Sequence, residues 1–566
     1  AVPRAAATDE LARRVLELAE KGGAEEGGGA EHKRQRKLCS AYAIALDCGA
    51  HRDLDASEAA SVAARLCGEY AAAVVKEADV DAREHIPADG LLVSAANALF
   101  SAAGKMTSPA REGTVLLAIA VLERGCARSS HHADMRFALM SAYLALGCPT
   151  RAHAHAKPLD LKNIQMDTLS HHLLPALDTL GSRAVARSMR RAVEKLHDDH
   201  ESGDAGDMYV LALRSKAFSK ASEMVAFKQR LAASHQLADV RADKALEEAL
   251  VACVTAGVEA APAGAGVDGD ATEQDIAVAA SGLDTLRANE DMCLRPFWDP
   301  LPGACALCGA GAVEGLGGRQ NDLPAREEAA WRSRVEQKRL LALVARAAAA
   351  APASAPQALA LAESHARAAD IAAGGSGNQL RREAGAVTCA AANAWAAVAA
   401  GESDAIEKLS KLTTAVAVAA AGVETALREH ATVYTCGALE RAGWLANDGA
   451  RWAAVLLRQA RRTLNARDGA DADASVRAAL CECAEAVTAH LNDVVDKLGR
   501  DADALAAALV SEARIVGSSV LPPTWESDLV AIATKVAEDQ VAAANAIADS
   551  LAESATWSRG AALSFD

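Results

Sequence analysis

Aromatic residues make up only 3% of this 566-residue sequence, and runs of β-branched residues are scarce. That leaves too little material for a sheet core. The alanine, leucine, glutamate and arginine that dominate instead are the residues of long helices. Long apolar runs are missing too. The nearest approach to one, "GAVTCAAANAWAAVAAG" at 385–401, is uncharged but mostly alanine and carries Asn393, so it reads as a buried helix and not a membrane span. The 13 cysteines are odd in number, scattered, and not preceded by a secretory leader. They form no disulfide framework and point to a reducing compartment, with the cytoplasm expected. Excess positive charge is absent as well. A net charge of −16 and a pI near 5.5 exclude DNA and anionic membrane as general partners and restrict any RNA contact to local patches.

What is present is 51% hydrophobic residues over a length sufficient for several cores. The fold class expected is all-α: a tetratricopeptide-like α-solenoid of helical hairpins followed by a further helical domain. Residues 1–30 read as a flexible N-terminal segment ending in "GAEEGGGAE". From 31 to 255, helical patterns alternate with short breakers such as "HIPADG", "SPAREG" and "GCPT". Residues 256–324 read as an irregular linker or long loops, rich in Pro, Gly, Ala and Asp. A C-terminal helical region, 325–566, follows. The chain starts at Ala1, which is expected of a processed product or a fragment lacking upstream repeats.

Within 31–255 there is a recurrence. Leu146-Gly147 and Leu180-Gly181 each end a helical pattern, 34 residues apart, and Ala152 and Ala186 each follow five residues later. Lys216 occupies the glycine position of a third unit, followed by Ala221. A 34-residue period is that of the tetratricopeptide repeat, in which a small residue lets the second helix of a pair pack closely. Met224, Phe227 and Leu231, at i, i+3 and i+7, are expected on one buried face.

Patterns that would carry chemistry are incomplete. Cys305 and Cys308 have the spacing of half a zinc site without a second pair nearby, and read as loop thiols. "GAGAVEG" at 309–315 has no strand before it, "GGSGN" at 374–378 misses the nucleophile-elbow pattern, and Gly104-Lys105 lacks the rest of a phosphate loop. The histidine pairs 131/132 and 171/172 fall near helix ends, where capping or solvated positions are expected. Two basic clusters, "HKRQRK" at 32–37 and "RSMRR" at 187–191, read first as solvated helix faces and second as local contacts to an anionic partner such as ribosomal RNA.

Four colinear blocks carry a resemblance: "HIPADGLLVSAANALF", "LLAIAVLERGCARSSHHADMRFALMSAYLALG", "LDLKNIQMDTLSHHLLP" and "DMYVLALRSKAFSKASEMVAFKQRL". In order and spacing they resemble the non-catalytic auxiliary subunit of the NatB N-terminal acetyltransferase complex. A weaker echo is "LRANEDMCLRPFWDP", which keeps Trp298-Asp299-Pro300. The resemblance implies a cytoplasmic, ribosome-associated scaffold that is not an enzyme. It would hold a GNAT-type catalytic subunit through the concave surface of its repeats. That partner, not this chain, would use acetyl-CoA, to acetylate N-termini beginning Met-Asp, Met-Glu, Met-Asn or Met-Gln.

No catalytic, cofactor-binding or metal residues are assigned. Asp160, Lys162, Gln165, Asp167, Thr168 and Phe227 are expected as structural or partner-contact residues, with Asp167 or Thr168 capping a helix start at a repeat junction. Two other readings stay open at this stage. A GNAT catalyst would need an Arg/Gln-x-x-Gly-x-Gly/Ala turn, and the nearest approaches, 382–387 and 514–519, fail at the last position. A generic helical-repeat adaptor with unrelated partners is the alternative to the NatB reading.

Overall fold

The computed structural model describes residues 28–47, 55–255, 269–287, 289 and 325–562, except 78, 82, 203, 351–354, 376–378, 429–431, 467–473 and 518–519, together with Arg14 and Glu17. The segment expected to be flexible at the N-terminus therefore lies largely outside the described residues, as does most of 256–324, including Cys305, Cys308 and Trp298.

Every regular element among the described residues is helical. The first part comprises α1 (Gly28–Asp47), α2 (Ala56–Lys76), α3 (Asp89–Ala103), α4 (Ala110–Arg128), α5 (Ala133–Ala145), α6 (Pro149–Ala156), α7 (Ile164–Leu169), α8 (Leu174–Thr179), α9 (Arg183–Ser202), α10 (Asp204–Arg214), α11 (Phe218–Ala232) and α12 (His235–Thr255). Neighbours in sequence pack as neighbours in space, α2 on α3, α3 on α4, α5 on α6, α8 on α9 and α10 on α11, which is a series of stacked hairpins. Local signals set the ends. Asp55 accepts from the Glu58 amide at 2.8 Å and Glu58 Oε2 accepts from the Asp55 amide at 2.9 Å, a reciprocal cap that starts α2.

The 34-residue recurrence is a recurrence of turns. Gly147 and Gly181 have φ of 78° and 83°, and Lys216 takes the same left-handed conformation at 58°. At each, the following amide reaches back five residues: Cys148 to the Tyr143 carbonyl, Ser182 to Leu177 and Ala217 to Ala212, at 2.8, 2.7 and 2.9 Å. These are helix C-caps that reverse the chain, and glycine suits them because no Cβ opposes positive φ. Ala152, Ala186 and Ala221, five residues on, are all buried.

Within the stretch expected to be irregular, Gly269–Ala280 forms a helix, α13. Its Ala279 is buried in a small cluster with Leu340 and Ala368, and Ile276 packs beside them. This docking explains a helix that composition did not announce. The remainder comprises α14 (Ala325–Ala349), α15 (Ala355–Gly375), α16 (Gln379–Ala400), α17 (Ala405–Arg428), α18 (Ala438–Trp444), a π-helical turn at Leu445–Ala450, α19 (Arg451–Asn465), α20 (Ala474–Leu498), α21 (Ala502–Gly517) and α22 (Glu526–Ala562). No helix among the described residues is long and apolar enough to cross a membrane.

The C-terminal helices pack against the repeats. One apolar cluster runs from Leu38 to Ala561. The 37-residue α22 passes the turns: Gln540 Nε2 donates to the Leu146 carbonyl at 2.6 Å, and Asp539 accepts from the Arg151 amide at 2.8 Å. Inside the π-helical turn, Asn447 Nδ2 donates to the Asp178 carbonyl at 3.1 Å and its Oδ1 accepts from Arg183 at 2.5 Å. Carbonyls left over at the ends of α5 and α8 are thus satisfied by side chains several hundred residues away.

Contact this close requires small residues. A Cβ added at Gly443 would stand 2.0 Å from the Thr179 carbonyl oxygen, whereas one at Gly385 would meet nothing within 4 Å. Gly443→Ala is expected to destabilise by about 2–3 kcal/mol. Gly385→Ala, in the interior of α16, is expected to stabilise by about 0.5–1 kcal/mol. Urea denaturation of both variants checks this, and equal midpoints would show that α18 does not approach α8 as described.

His365 on α15 is fully buried, with Cys389 Sγ 3.7 Å from its Nδ1, and burial pushes its pKa down to about 4. Its unfolded value is about 6.5. The unfolded chain therefore takes up a proton that the folded chain refuses, and stability present above pH 6.5 is lost as pH falls toward 4. The difference between 6.5 and 4 sets a ceiling of about 3 kcal/mol. His365→Leu should flatten the fall in stability across this window in urea melts taken at a series of pH values. A slope identical to that of the parent chain would refute the assignment.

Candidate partner-binding surface

Asp167 is the buried centre of the motif 157–181. Its Oδ1 accepts from His197 Nε2 of α9 at 3.1 Å and from Ser234 Oγ at 2.5 Å, and its Oδ2 accepts from Asn289 Nδ2 at 3.0 Å. Ser234 Oγ in turn accepts from the Leu237 amide at the start of α12. A short parallel bridge joins Ser234 to Arg287, and Asn289 also donates to the Arg230 carbonyl at the end of α11. One carboxylate thereby ties together α7, α9, the α11–α12 junction and the strand of chain after α13. Neither Asp167 nor Thr168 caps the start of α7. Asp167 is already taken up by these three side chains, and Thr168 Oγ1 donates back to the Ile164 carbonyl within its own helix. The amide just ahead of the helix, that of Lys162, is met by Gln165 Oε1 at 3.3 Å.

The other motif residues are at the surface. Asp160 adopts φ of 48° in the turn after Leu159, and its carboxylate pairs with Lys162 Nζ at 2.5 Å; both side chains are well exposed. Pairs of that kind add little stability. Phe227 is half-buried on α11, edge-on to His200 at 5.1 Å and under the Arg230 guanidinium at 5.8 Å. Of the three residues expected on one buried face, Leu231 is buried, whereas Met224 is, like Phe227, only half-buried.

Below this node lies a network of charge. Arg190, buried, contacts Asp178, Asp243 and Glu247 at 2.7, 3.3 and 3.4 Å, while Lys338 of α14 contacts Asp239 and Asp243 at 2.6 and 2.8 Å. Burial opposes the charge on Arg190, but Asp243, Asp178 and Glu247 outweigh it and hold its pKa above the ordinary value. The second basic cluster therefore does not present all of its charge to solvent: Arg190 is spent inside, and Arg187 and Arg191 are exposed. In the first cluster Gln35 is buried and Arg34 pairs with Glu69 at 2.7 Å, leaving Lys33, Arg36 and Lys37 on the outside. His132 is the N-cap of α5, as expected of a histidine at a helix end.

Above the node stands the α10–α11 hairpin, which the sequence patterns did not single out as a surface. α10 reads DAGDMYVLALR, and Met208, Tyr209, Val210, Leu211 and Leu213 are all exposed, with Ala212 buried. Across the turn Phe218 is 66% and Val225 44% exposed. An apolar run without a polar face reads in sequence as a helix inside a core. Here it packs chiefly on α11 and α9, and these large apolar side chains remain on the outside, an exposure of the kind that marks a protein contact.

Asp167→Ala removes the shared acceptor of His197, Ser234 and Asn289, and is expected to cost about 3 kcal/mol, more than Asp167→Asn, which keeps an oxygen. Chemical denaturation of the two variants measures the difference. An unchanged midpoint for Asp167→Ala would mean that the node does not hold the hairpin in place.

The family model described as N-acetyltransferase B complex (NatB) non catalytic subunit matches residues 4–278. The N-terminal acetyltransferase B complex auxiliary subunit NAA25 of Arabidopsis thaliana is 30% identical over 209 residues, which is 35% of this chain and 18% of that protein. The N-alpha-acetyltransferase 25, NatB auxiliary subunit, of Homo sapiens is 29% identical over 190 residues, 33% of this chain and 19% of that protein. The matched stretches thus span less than a fifth of those relatives. Among solved structures, the NatB acetyltransferase complex bound to CoA and MES has a chain that aligns with a TM-score of 0.44 and 9% identity, covering 96% of this chain and 71% of that one; a likeness at that level sets no residue equivalences. The matched region holds Asp167, the hairpin and α1 to α12, and over these residues the chain is similar to the NatB non-catalytic subunits.

Proposed function

We propose that this chain is a non-catalytic scaffold subunit of a NatB complex, cytoplasmic and ribosome-associated. It holds a GNAT-type catalytic subunit that acetylates nascent N-termini beginning Met-Asp, Met-Glu, Met-Asn or Met-Gln, and acetyl-CoA is bound by that partner. The observation that carries the reading is the apolar hairpin inside the family-matched region, which nothing among the described residues covers. α10 exposes five large apolar side chains, and such a helix is stable in water only when something covers it. The partner docks there, with Leu211 and Phe218 as anchors, and the Asp167 node below fixes the angle at which the hairpin is offered. The exposed Lys33, Arg36, Lys37, Arg187 and Arg191 are the places for a local ribosomal RNA contact in an otherwise acidic chain.

The test is co-purification of a tagged GNAT-type NatB catalytic subunit with the wild-type chain and with a Leu211→Asp/Phe218→Asp variant. Loss of two central apolar anchors should weaken binding by about 30-fold or more, with far-UV circular dichroism unchanged because both side chains are already in solvent. Ile515→Asp, equally exposed but on α21, should bind as the wild type does. If the double variant retains the subunit fully, the hairpin is not the docking surface. If the folded wild-type chain retains none, a generic helical-repeat adaptor becomes the better description.

A further inference from the structure

His85, Asp89 and His132 come together where the start of α3 meets the start of α5. One ring nitrogen of each histidine and one carboxylate oxygen lie within 4.8 Å of one another, and the two rings stand edge to face with centroids 4.9 Å apart. Asp89 is 1% exposed. Its Oδ2 is held by the Ile86 amide at 3.0 Å, but its Oδ1 is buried without a hydrogen-bond partner. Two further buried oxygens nearby are also unmatched: Ser129 Oγ, on the turn that leads to His132, and Tyr70 Oη, whose pKa is raised by burial and then by the Asp89 charge. Orphaned buried oxygens are rare in folded proteins, and each calls for a ligand or water to account for it.

We propose that His85, Asp89 and His132 form a binding site for a divalent transition-metal ion of the zinc type, with water completing its coordination. Two imidazoles and one carboxylate are the donors that such borderline ions take, whereas magnesium and calcium prefer oxygen throughout. Donor atoms around a tetrahedral ion stand about 3.3 Å apart, given metal–ligand distances of about 2.0–2.2 Å. His85 is the adjustable donor: its side chain is 55% exposed, and its Nδ1 already stands 3.8 Å from Asp89 Oδ2. Asp89 is already oriented by the Ile86 amide, the kind of outer contact that fixes a metal-binding carboxylate. His132 Nδ1 lies 3.4 Å from the Met135 amide, a long contact. If Nε2 binds the metal, the ring proton rests on Nδ1 and that contact is given up. The ion would clamp two helix starts that are 44 residues apart in the chain.

The experiment uses the full, untagged chain after dialysis against EDTA, titrated with Co2+ and then with Zn2+ in competition. The expected result is one saturable equivalent of Co2+ with visible d–d absorption and no thiolate charge-transfer band, displaced by Zn2+, and a melting temperature raised by Zn2+. His85→Gln, at an exposed position, and His132→Asn, which keeps a good N-cap residue, should each weaken Co2+ binding at least tenfold and abolish the thermal shift, with circular dichroism in EDTA unchanged. The proposal is overturned by the absence of a saturable d–d signal, by a thiolate band that reports cysteine ligation, or by affinity unaltered in His85→Gln, which would mean an adventitious ion only.

Discussion

At Gly147 and Gly181 the backbone is asked to do two things in the same few ångströms. The positive φ reverses the chain at the end of a helix, and the exposed carbonyls of that helix end must then find donors inside a protein core. Gln540 and Asn447 supply them. An added Cβ at Gly181 would lie 2.6 Å from the Ala546 Cβ and one at Gly147 would lie 2.8 Å from Leu439 Cδ1. The stacking of the repeats and the attachment of the C-terminal helices are therefore one constraint: the turns that set the repeat are also the surface on which α18 and α22 rest.

That constraint explains the composition. Where helix backbones approach through glycine and alanine, large side chains are few, and those present fill the remaining gaps, as Trp395 does among the alanines of α16. The cost is low tolerance. Gly113 sits so close to the backbone between Glu512 and Ala513 that a Cβ there would come within 2.6 Å, and Glu112 beside it receives the Cys436 amide. Packing of this kind makes the two ends of the chain depend on each other for their burial.

The polar interior has a different task. Asp167 and the Arg190–Asp243–Lys338 chain of charges are buried or partly buried, and such groups are costly unless each finds a partner. They join elements that apolar packing alone would leave free to slide, and the hairpin α10–α11 is mounted on them. Rigid polar support beneath an uncovered apolar surface is an arrangement suited to presenting that surface to another protein.

The sequence by itself determined the helical class, the positions of the turns and the small residues after them, because backbone conformation and helix propensity act over a few residues and leave a local record. Lys216 could be placed at the third turn for that reason, although lysine has no preference for positive φ. It also carried the motif that contains Asp167, but not the identity of its partners: His197, Ser234 and Asn289 are 30, 67 and 122 residues away, and no local pattern encodes a meeting at that range. The same holds for α13, which is helical because Ala279 finds Leu340 and Ala368, and for Arg190, which reads as part of a surface cluster until Asp178 and Asp243 close around it. Exposure was the property decided last. An apolar run such as MYVLAL specifies burial, and only the tertiary structure shows that within this chain nothing among the described residues covers it.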